Sequence, residues 1–166
     1  VFDFVKLKWM NAHYIRHYDL DAIVKLFTPY IERAGYSVAS LDQAWLRDVI
    51  ALVRGNCEIL SDIGPVIGAF IPDIAPLEED AAAMLASDEG RTCAAAAKEL
   101  VASGELTAGN ILTVVELIKQ KTGLKGKGLF MPCRALLTGN LHGPDLAESL
   151  RLIGYDKIIA RIRHAS

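Results

Sequence analysis

Apolar residues recur every three or four positions along most of the chain, which is the spacing of one face of an α-helix. The first such stretch, which Asp3 is placed to cap, has its apolar positions at Phe4, Leu7, Met10 and Tyr14. The sequence contains no convincing alternation of apolar and polar residues and no Asn-Gly or Asp-Gly hairpin turn. The pattern therefore predicts an all-α fold.

Helix caps and stops place the remaining helices. Asp19 is placed to cap a helix whose apolar side carries Ile23, Phe27, Tyr30 and Ile31. Ser40 and Gln43 have the spacing of a capping box ahead of a third helix, which Gly55 is expected to end. Further helices are expected to begin at Pro76, Thr107, Pro132, Pro144 and Asp156. Their expected stops include Gly104, Gly123, Gly139 and Gly154.

A stretch rich in proline and glycine, GPVIGAFIPDIAP at residues 64–76, interrupts the helical pattern. Its two glycines and three prolines are typical of a break between subdomains. Its apolar residues favour a linker that packs against the protein over a free tether. We therefore expect two packed helical subdomains, residues 1–70 and residues 71–166.

The composition fits a folded domain, because 52% of the 166 residues are apolar. No apolar run approaches the roughly 20 residues that a membrane helix needs. The first residues show no signal peptide, and the absence of an initiator methionine suggests a fragment. The separations of Cys57, Cys93 and Cys133 match no disulfide or metal pattern, so we expect buried, reduced thiols in a cytoplasmic protein.

The net charge of −2 is unevenly distributed. Residues 73–105 carry eight acids and two bases, whereas residues 106–166 carry four acids and nine bases. A basic C-terminal third in an acidic protein favours a polyanion partner, although a solvated basic face has the same composition.

A basic tract runs through Lys119, Lys121, Lys125 and Lys127. The two lysines at the helix end complement the helix dipole, whereas Lys125 and Lys127 lie in a loop, where they are better placed to meet phosphates. Arg134 follows Pro132 by two residues, which would put it in the first turn of a helix, against the dipole. A carboxylate partner or a nucleic-acid base or phosphate would offset that cost.

The segment TGNLHGPDL combines a helix end, a loop and a new helix start. Exposed N–H groups at the new helix start would bind an anion or a base edge. Gly143 permits close approach to the backbone, and Pro144 forms a rigid wall. An ordinary corner between two helices fits the same spacing.

The sequence shows no reaction centre. His13 and His17 have the spacing of two zinc ligands on a helix, but no third ligand accompanies them. Gly126 and Gly128 lack the third glycine of a dinucleotide-binding loop, and no Gly-x-Ser-x-Gly motif occurs. We therefore expect no catalytic residue, no metal site and no cofactor in this chain.

Two long segments, VFDFVKLKWMNAHYIR at the start of the sequence and KGKGLFMPCRALLTGNLHGPDLAESLRLIGYDKIIARI at its end, together resemble one family, the bacterial-type glutamyl-tRNA synthetases. The segment VFDFVKLKWMNAHYIR is similar to a family segment with Phe-Asp, Lys-Leu, Trp and Tyr-Ile-Arg at the same spacing. The segment KGKGLFMPCRALLTGNLHGPDLAESLRLIGYDKIIARI is similar to the family's C-terminal signature, and WLRDVIALVRGNCEILSDI fits more loosely. The resemblance covers essentially the whole chain.

The resemblance implies an α-helix-cage anticodon-binding body that holds tRNA(Glu) during translation. The family's His-Ile-Gly-His-like and Lys-Met-Ser-Lys-Ser-like motifs are absent from the sequence. The parent enzyme would ligate glutamate to tRNA with ATP and Mg²⁺ in a catalytic half that acts in cis, and this chain should be inactive alone. The resemblance leaves the oligomeric state open.

The resemblance also implies roles for individual residues. Arg134 matches an arginine that contacts the anticodon, while Gly143, Pro144 and Leu146 match positions beside the first two anticodon bases. Together they would form one wall of an anticodon pocket, opposite a wall near Arg54 and Asn56, and the loop lysines above would contact the tRNA backbone.

Two further positions of the resemblance carry alternatives. Asn56 stands where discriminating members carry an arginine that reads the third base, and the nearest arginine, Arg54, lies two residues earlier, so tRNA(Gln) is a second candidate partner. The markers of the first helix, Lys6, Lys8, Asn11, Tyr14 and Arg16, would orient that helix or contact tRNA phosphates.

A second function fits the same residues. A free-standing helical protein–protein module, derived from the synthetase body, would use the acidic segment 73–105 and its alanine-rich helix as its working surface. Salt-sensitive tRNA binding separates the two hypotheses.

Overall fold

Helices provide the regular secondary structure in the computed structural model, which describes residues 3–165. No strand occurs within that range. The chain divides into two compact units, Val1–Gly68 and Ala69–Ser166. The division therefore lies next to Gly68, inside the stretch rich in proline and glycine.

Four α-helices and three short 3₁₀ turns build the first unit. The helices are α1 (Phe4–His17), α2 (Leu20–Arg33), α3 (Gln43–Val53) and α4 (Ile63–Ile67). The 3₁₀ turns are Val38–Ser40, Arg54–Asn56 and Leu60–Asp62.

Aspartates cap the first three helices. A carboxylate oxygen of Asp3 accepts hydrogen bonds from the N–H groups of Val5 and Lys6 at 3.0 and 3.2 Å, and Asp19 accepts one from Ala22 at 2.9 Å. Both caps were predicted and are confirmed. The predicted Ser40 cap is wrong, because Asp42 directly precedes α3 and accepts from the N–H of Trp45 at 2.7 Å. Ser40 lies in a 3₁₀ turn instead.

The core of the first unit is formed by α2, α3 and α4, whose central apolar side chains are fully buried. These are Phe27, Ile31, Leu46, Val49, Ile50, Val53, Ile63 and Ile67. In contrast, α1 buries only Ala12 and Ile15. Phe4 is 71% exposed and Trp9 is 68% exposed, so the periodic apolar face of α1 is largely open.

Six α-helices and one 3₁₀ turn build the second unit. They are α5 (Glu79–Leu85), α6 (Asp88–Ala102), the 3₁₀ turn Ile111–Thr113, α7 (Val114–Thr122), α8 (Lys127–Thr138), α9 (Leu146–Ile153) and α10 (Tyr155–His164). The predicted stops are correct to within a residue or two, and Gly123 and Gly139 end their helices in the left-handed conformation that favours glycine.

The predicted helix starts at Pro76, Thr107 and Pro132 are wrong, whereas the start at Pro144 is correct to within two residues. An irregular segment follows Pro76, and a turn and the 3₁₀ helix follow Thr107 before α7 begins. The sixth residue of α8 is Pro132, where the helix tolerates one missing N–H bond. Asp145 caps α9 immediately after Pro144. The predicted cap at Asp156 is also wrong, because α10 begins at Tyr155, directly after Gly154, and Asp156 is its second residue.

Small residues on α6 allow close helix packing in the second unit. Cys93 and Ala97 are fully buried on this helix. A Cβ added to Gly90 would lie 2.2 Å from the carbonyl oxygen of Met84 and 2.6 Å from the Cα of Leu85. Only glycine therefore fits where α6 meets α5.

Two basic side chains of α10 hold the irregular segment at residues 70–73. The Lys157 ammonium donates to the carbonyl oxygens of Phe70 and Ile71, both at 2.8 Å. The guanidinium of Arg161, only 4% exposed, donates to Pro72, Asp73 and Leu137 at 2.9, 3.0 and 2.6 Å. Burial lowers the pKa of Arg161 to about 10. These bonds satisfy carbonyl groups that have no helix or strand partner.

All three cysteines are free and buried, as predicted. Burial raises the pKa of the Cys57 thiol to about 12. The Sγ atoms of Cys93 and Cys133 lie 3.3 Å apart, where either thiol can donate to the other. This contact lowers the pKa of Cys93 and, together with burial, raises that of Cys133.

Candidate nucleic-acid interface

Arg134 is the eighth residue of α8, well beyond the first turn. The expected conflict with the helix dipole is therefore absent, and the reasoning that placed Arg134 at a helix start is wrong. Its side chain is half-buried, and Nη2 donates to the carbonyl oxygen of Pro144 at 3.0 Å. Burial lowers the pKa of Arg134, and the nearby Asp145 partly opposes that effect. Of the two partners considered for Arg134, the carboxylate is not found within hydrogen-bonding distance among residues 3–165, and a backbone carbonyl accepts the bond instead.

The absence of a side chain at Gly143 lets the Arg134 side chain lie close to the backbone there. Its φ angle is +152°, and a Cβ built there would lie 3.3 Å from Nη1 of Arg134. The guanidinium therefore packs along the backbone of residues 143–144. The structure brings Arg134, Gly143 and Pro144 together in one cluster, which we call the Arg134 cluster.

The start of α9 differs from the expected anion site. Asp145 Oδ1 accepts a hydrogen bond from the N–H of Glu148 at 2.9 Å, so a carboxylate already caps this end. An anion would meet that negative charge. Leu146 is the first residue of α9 and is half-buried beside the Arg134 cluster. The expectation of an open backbone site for an anion is therefore wrong.

The lysines of the basic tract separate into two pairs. Lys119 is ion-paired with Glu116 at 3.1 Å, and Lys121 is ion-paired with Glu99 and Glu105 at 2.9 and 3.1 Å. Those two carboxylates raise the pKa of Lys121.

Lys125 and Lys127 are exposed and make no ion pair with any other residue between positions 3 and 165. Lys125 lies in the loop before α8, and Lys127 is the first residue of that helix. Unpaired ammonium groups at a helix entrance are available to an outside anion.

A groove of about 590 Å³ lies beside these residues, between α7, α8 and α9. It is lined mainly by apolar side chains, with Lys119 and Lys125 among the polar ones. The ring of Phe130 lines it and is 56% exposed. Sequence reasoning missed Phe130, although its position four residues before Arg134 would have put both on one helix face.

In the first unit, Arg54 and Asn56 form the ends of the 3₁₀ turn that follows α3. Nη1 of Arg54 donates to the carbonyl oxygen of Tyr18 at 3.0 Å, at the C-terminal end of α1. Arg54 therefore stabilises a helix end, where a cation also suits the dipole. The side chain of Asn56 is exposed.

Residues 3–165 contain no group of three or more His, Cys, Asp or Glu side chains that could hold a metal ion. His13 and His17 are exposed, and their ring centroids lie 4.5 Å apart, with Trp9 stacked on His13 at 5.7 Å. In the same range no helix has the length and apolarity needed to cross a membrane.

Comparison of the sequence with known proteins finds one protein family and a set of similar proteins. A family profile described as "Anticodon binding domain" matches residues 22–166. The chain is similar to the glutamate–tRNA ligase of Desulforamulus reducens, with 35% identity over 170 positions that cover 99% of this chain and 35% of that protein. It is 36% identical to the Bacillus cytotoxicus glutamate–tRNA ligase over 167 positions, which cover 98% of this chain and 34% of that protein. The chain thus spans about a third of the length of these relatives.

Solved structures show the same fold. A glutamate tRNA ligase from Elizabethkingia meningosepticum superimposes with a TM-score of 0.72 at 24% identity, over 99% of this chain and 32% of that chain. The glutamate-tRNA synthetase of Elizabethkingia anophelis gives a TM-score of 0.68 at 23% identity, over 99% and 32%. These matches confirm the all-α fold predicted from the helical periodicity.

Proposed function

Since the chain belongs to the anticodon binding domain family, we propose that it binds the anticodon stem-loop of a tRNA, with tRNA(Glu) as its main partner. The family match over residues 22–166 is the observation that carries this proposal. The resemblance to glutamyl-tRNA synthetases seen in the sequence is confirmed by that match and by the curated relatives.

The Arg134 cluster supports contact with an anticodon base. A guanidinium has five N–H donors, and the hydrogen bond from Arg134 to Pro144 uses only part of that capacity. The bond holds one nitrogen of the guanidinium, and its remaining donors and its face would hydrogen-bond or stack with a base. In this proposal Gly143, Pro144 and Leu146 border the first two anticodon bases.

The unpaired lysines support contact with the RNA backbone. Lys125, in the loop before α8, and Lys127, the first residue of α8, precede the Arg134 cluster and are exposed. Contacts to phosphate position an RNA without reading its sequence. We assign them the backbone role and leave base recognition to the arginine.

The relatives are about three times as long as this chain, so the whole reaction is a proposal about a longer protein. We propose that the chain works in the cytoplasm, joined in cis to a catalytic half of a glutamate–tRNA ligase. That half would use ATP and Mg²⁺ to ligate glutamate, while the present chain alone would be inactive. Its own contribution would be to hold the anticodon loop.

The third anticodon base involves the first unit. Asn56 has an exposed amide that can hydrogen-bond a base, but it lacks the charge and reach of arginine. Arg54 is held by the carbonyl of Tyr18, so we assign it a positioning role rather than base reading. Relaxed discrimination, with tRNA(Gln) as a second partner, follows from this part of the proposal.

The test is binding of a fluorescently labelled tRNA(Glu) anticodon stem-loop, followed by anisotropy. Arg134→Ala should weaken binding by about 1–3 kcal/mol, because a base contact of this kind is lost. Arg163→Ala is the matched control, since it removes the same charge from an exposed position of α10. Equal affinities of the wild type and Arg134→Ala would overturn the role of Arg134.

The alternative, a free-standing protein–protein module, is not favoured by the comparisons, because the family profile covers most of both units. It would be supported if the wild type bound the anticodon stem-loop no better than an unrelated stem-loop of equal length.

A further inference from the structure

An exposed phenylalanine lies one helical turn before the Arg134 cluster. Phe130 is 56% exposed, whereas its neighbours Leu129 and Cys133 on α8 are buried. Residues three and four apart on a helix lie on the same face, with Cβ atoms about 5–6 Å apart. Lys127, Phe130 and Arg134 therefore share one face of α8. That face presents an ammonium group, an aromatic ring and a guanidinium in a row.

The ring of Phe130 lines the groove of about 590 Å³ between α7, α8 and α9. The other apolar side chains of the lining include Leu112, Val115, Leu129, Leu146 and Leu150. Leu112 is 49% exposed, so the groove is open to solvent on that side as well. Its volume lies in the range of small-ligand sites, and its apolar walls suit a flat ring.

Of the two carboxylates in the groove, Glu116 pairs with Lys119 at 3.1 Å, whereas Asp145 caps α9 through the N–H of Glu148 and would repel a phosphate at that end. A phosphate of a ligand would therefore bind at Lys125 and not at the start of α9. Lys125 stands in the lining without an ion pair within the described part of the chain. The groove therefore combines an apolar interior with an unpaired cation at its edge.

A single exposed apolar side chain is ordinary on a protein surface and needs no ligand to explain it. Phe130 differs because the ring faces a groove, lies between two cations on one helix face, and is adjacent to an arginine fixed by a hydrogen bond. An aromatic platform within a basic track is how proteins bind unpaired bases of single-stranded nucleic acid. A protein that bound to Phe130 through apolar contacts would not need the positive charges of Lys127 and Arg134.

We propose that Phe130 is a stacking platform for an unpaired nucleobase of RNA, which enters the groove between α7, α8 and α9 while Arg134 contacts a neighbouring nucleotide. This role rests on the proposed anticodon-loop binding and adds a further recognition residue to it. Stacking is tolerant of base identity, because every base has a flat face. Phe130 would therefore add affinity for the loop without selecting its sequence.

The first arm of the test measures anisotropy of the labelled anticodon stem-loop with variants of Phe130. Phe130→Ala should weaken binding about tenfold, and Phe130→Leu should weaken it too, because leucine keeps apolar bulk without a flat ring. Phe130→Trp should restore wild-type affinity or exceed it. Leu77→Ala, at a residue that is 51% exposed in the same unit but outside the groove, should leave affinity unchanged.

The second arm is a double-mutant cycle with stem-loops that carry one abasic nucleotide at successive loop positions. At the position that stacks on Phe130, removing the base should weaken wild-type binding about tenfold but leave Phe130→Ala binding nearly unchanged. Additive losses at every loop position would overturn the stacking role, as would unchanged affinity of Phe130→Ala in the first arm.

The two arms separate this inference from the function on which it rests. If the wild type prefers the anticodon stem-loop and Arg134→Ala weakens it, while Phe130 variants bind normally, only the stacking platform fails. If the wild type does not distinguish the anticodon stem-loop from an unrelated stem-loop, the proposed function fails and the platform fails with it. A partner protein that lost affinity on Phe130→Ala without any effect on RNA would also count against stacking.

Discussion

At the scale of single residues, the fold changes the interpretation of two basic side chains of α10. Arg161 and Lys157 bind backbone carbonyls of residues 70–73, and neither was singled out from the sequence. In the sequence, both residues belong to a basic C-terminal segment, and such segments usually form a solvated or an RNA-binding surface. Only the fold shows that one of these cations is an interior structural group.

The buried thiol of Cys57 makes stability depend on pH. Its pKa is raised by burial from 9.0 to about 12, so the folded state holds the proton that the unfolded state loses. The stabilising contribution is complete below pH 9 and is lost as the pH rises towards 12. At pH 10.5 we expect the free energy of unfolding to fall by about 2 kcal/mol from this group.

Urea unfolding of the wild type and Cys57→Ala, with a reducing agent at pH 8 and pH 10.5, measures that contribution. The variant should be less stable at pH 8 because a small cavity is created, but it should lose less stability between the two pH values. If both proteins lost the same free energy over this interval, the thiol would not be the titrating group. Cys93 and Cys133 are present in both proteins and cancel in the difference.

At the scale of helices, caps and stops were more predictable than starts marked by proline. An aspartate before an apolar stretch and a glycine after one each act through a local backbone bond or a left-handed φ angle, so Asp19 and Gly123 could be read from the sequence. Pro132 was misread, because a proline is also tolerated inside a helix when the surrounding packing maintains it. The position of Arg134 was wrong for the same reason.

The contact between α5 and α6 depends on a glycine within a helix. Gly90→Ala improves intrinsic helix propensity by about 1 kcal/mol, but its Cβ would overlap the backbone of residues 84 and 85. We expect a net destabilisation of about 1–3 kcal/mol, because close-packed backbone cannot move away easily. Chemical denaturation followed by circular dichroism measures it.

Gly128→Ala in α8 is the matched control, since its Cβ would meet only the Cγ of Glu89 at an ordinary 3.7 Å. That variant should be as stable as the wild type or more stable by up to about 1 kcal/mol. Equal losses in the two variants would show that the close approach at Gly90 does not limit packing.

At the scale of the whole molecule, the sequence shows a basic C-terminal third, and the structure shows which of its basic side chains are free to bind a partner. The basic C-terminal third is not uniformly available, because Lys121 is neutralised by two glutamates and Arg161 is buried. The sequence could not show these pairings, since Glu99 and Glu105 are distant from Lys121 along the chain. The candidate site therefore narrows to Lys125, Lys127, Arg134 and the groove beside them.

Salt dependence tests this division of the lysines. The Lys125→Ala/Lys127→Ala double variant should reduce the slope of log K against log salt concentration by about 1.4–1.8 for the anticodon stem-loop, if each lysine neutralises one phosphate. The Lys98→Ala/Arg163→Ala double variant removes the same charge from exposed positions of α6 and α10 outside the groove and should leave the slope close to that of the wild type. A slope that changed equally in both variants would contradict the assignment of the backbone contacts.

The hydrogen bond from Arg134 to the carbonyl of Pro144 also bears on the entropy of recognition. A free arginine side chain loses up to ~2 kcal/mol of rotamer freedom when it is immobilised by a ligand. Here the corner at Gly143 and Pro144 restricts the guanidinium before any RNA is present, so most of that freedom has already been lost during folding. The arginine can meet a base as a fixed surface, and little of the favourable contact energy is cancelled by ordering it.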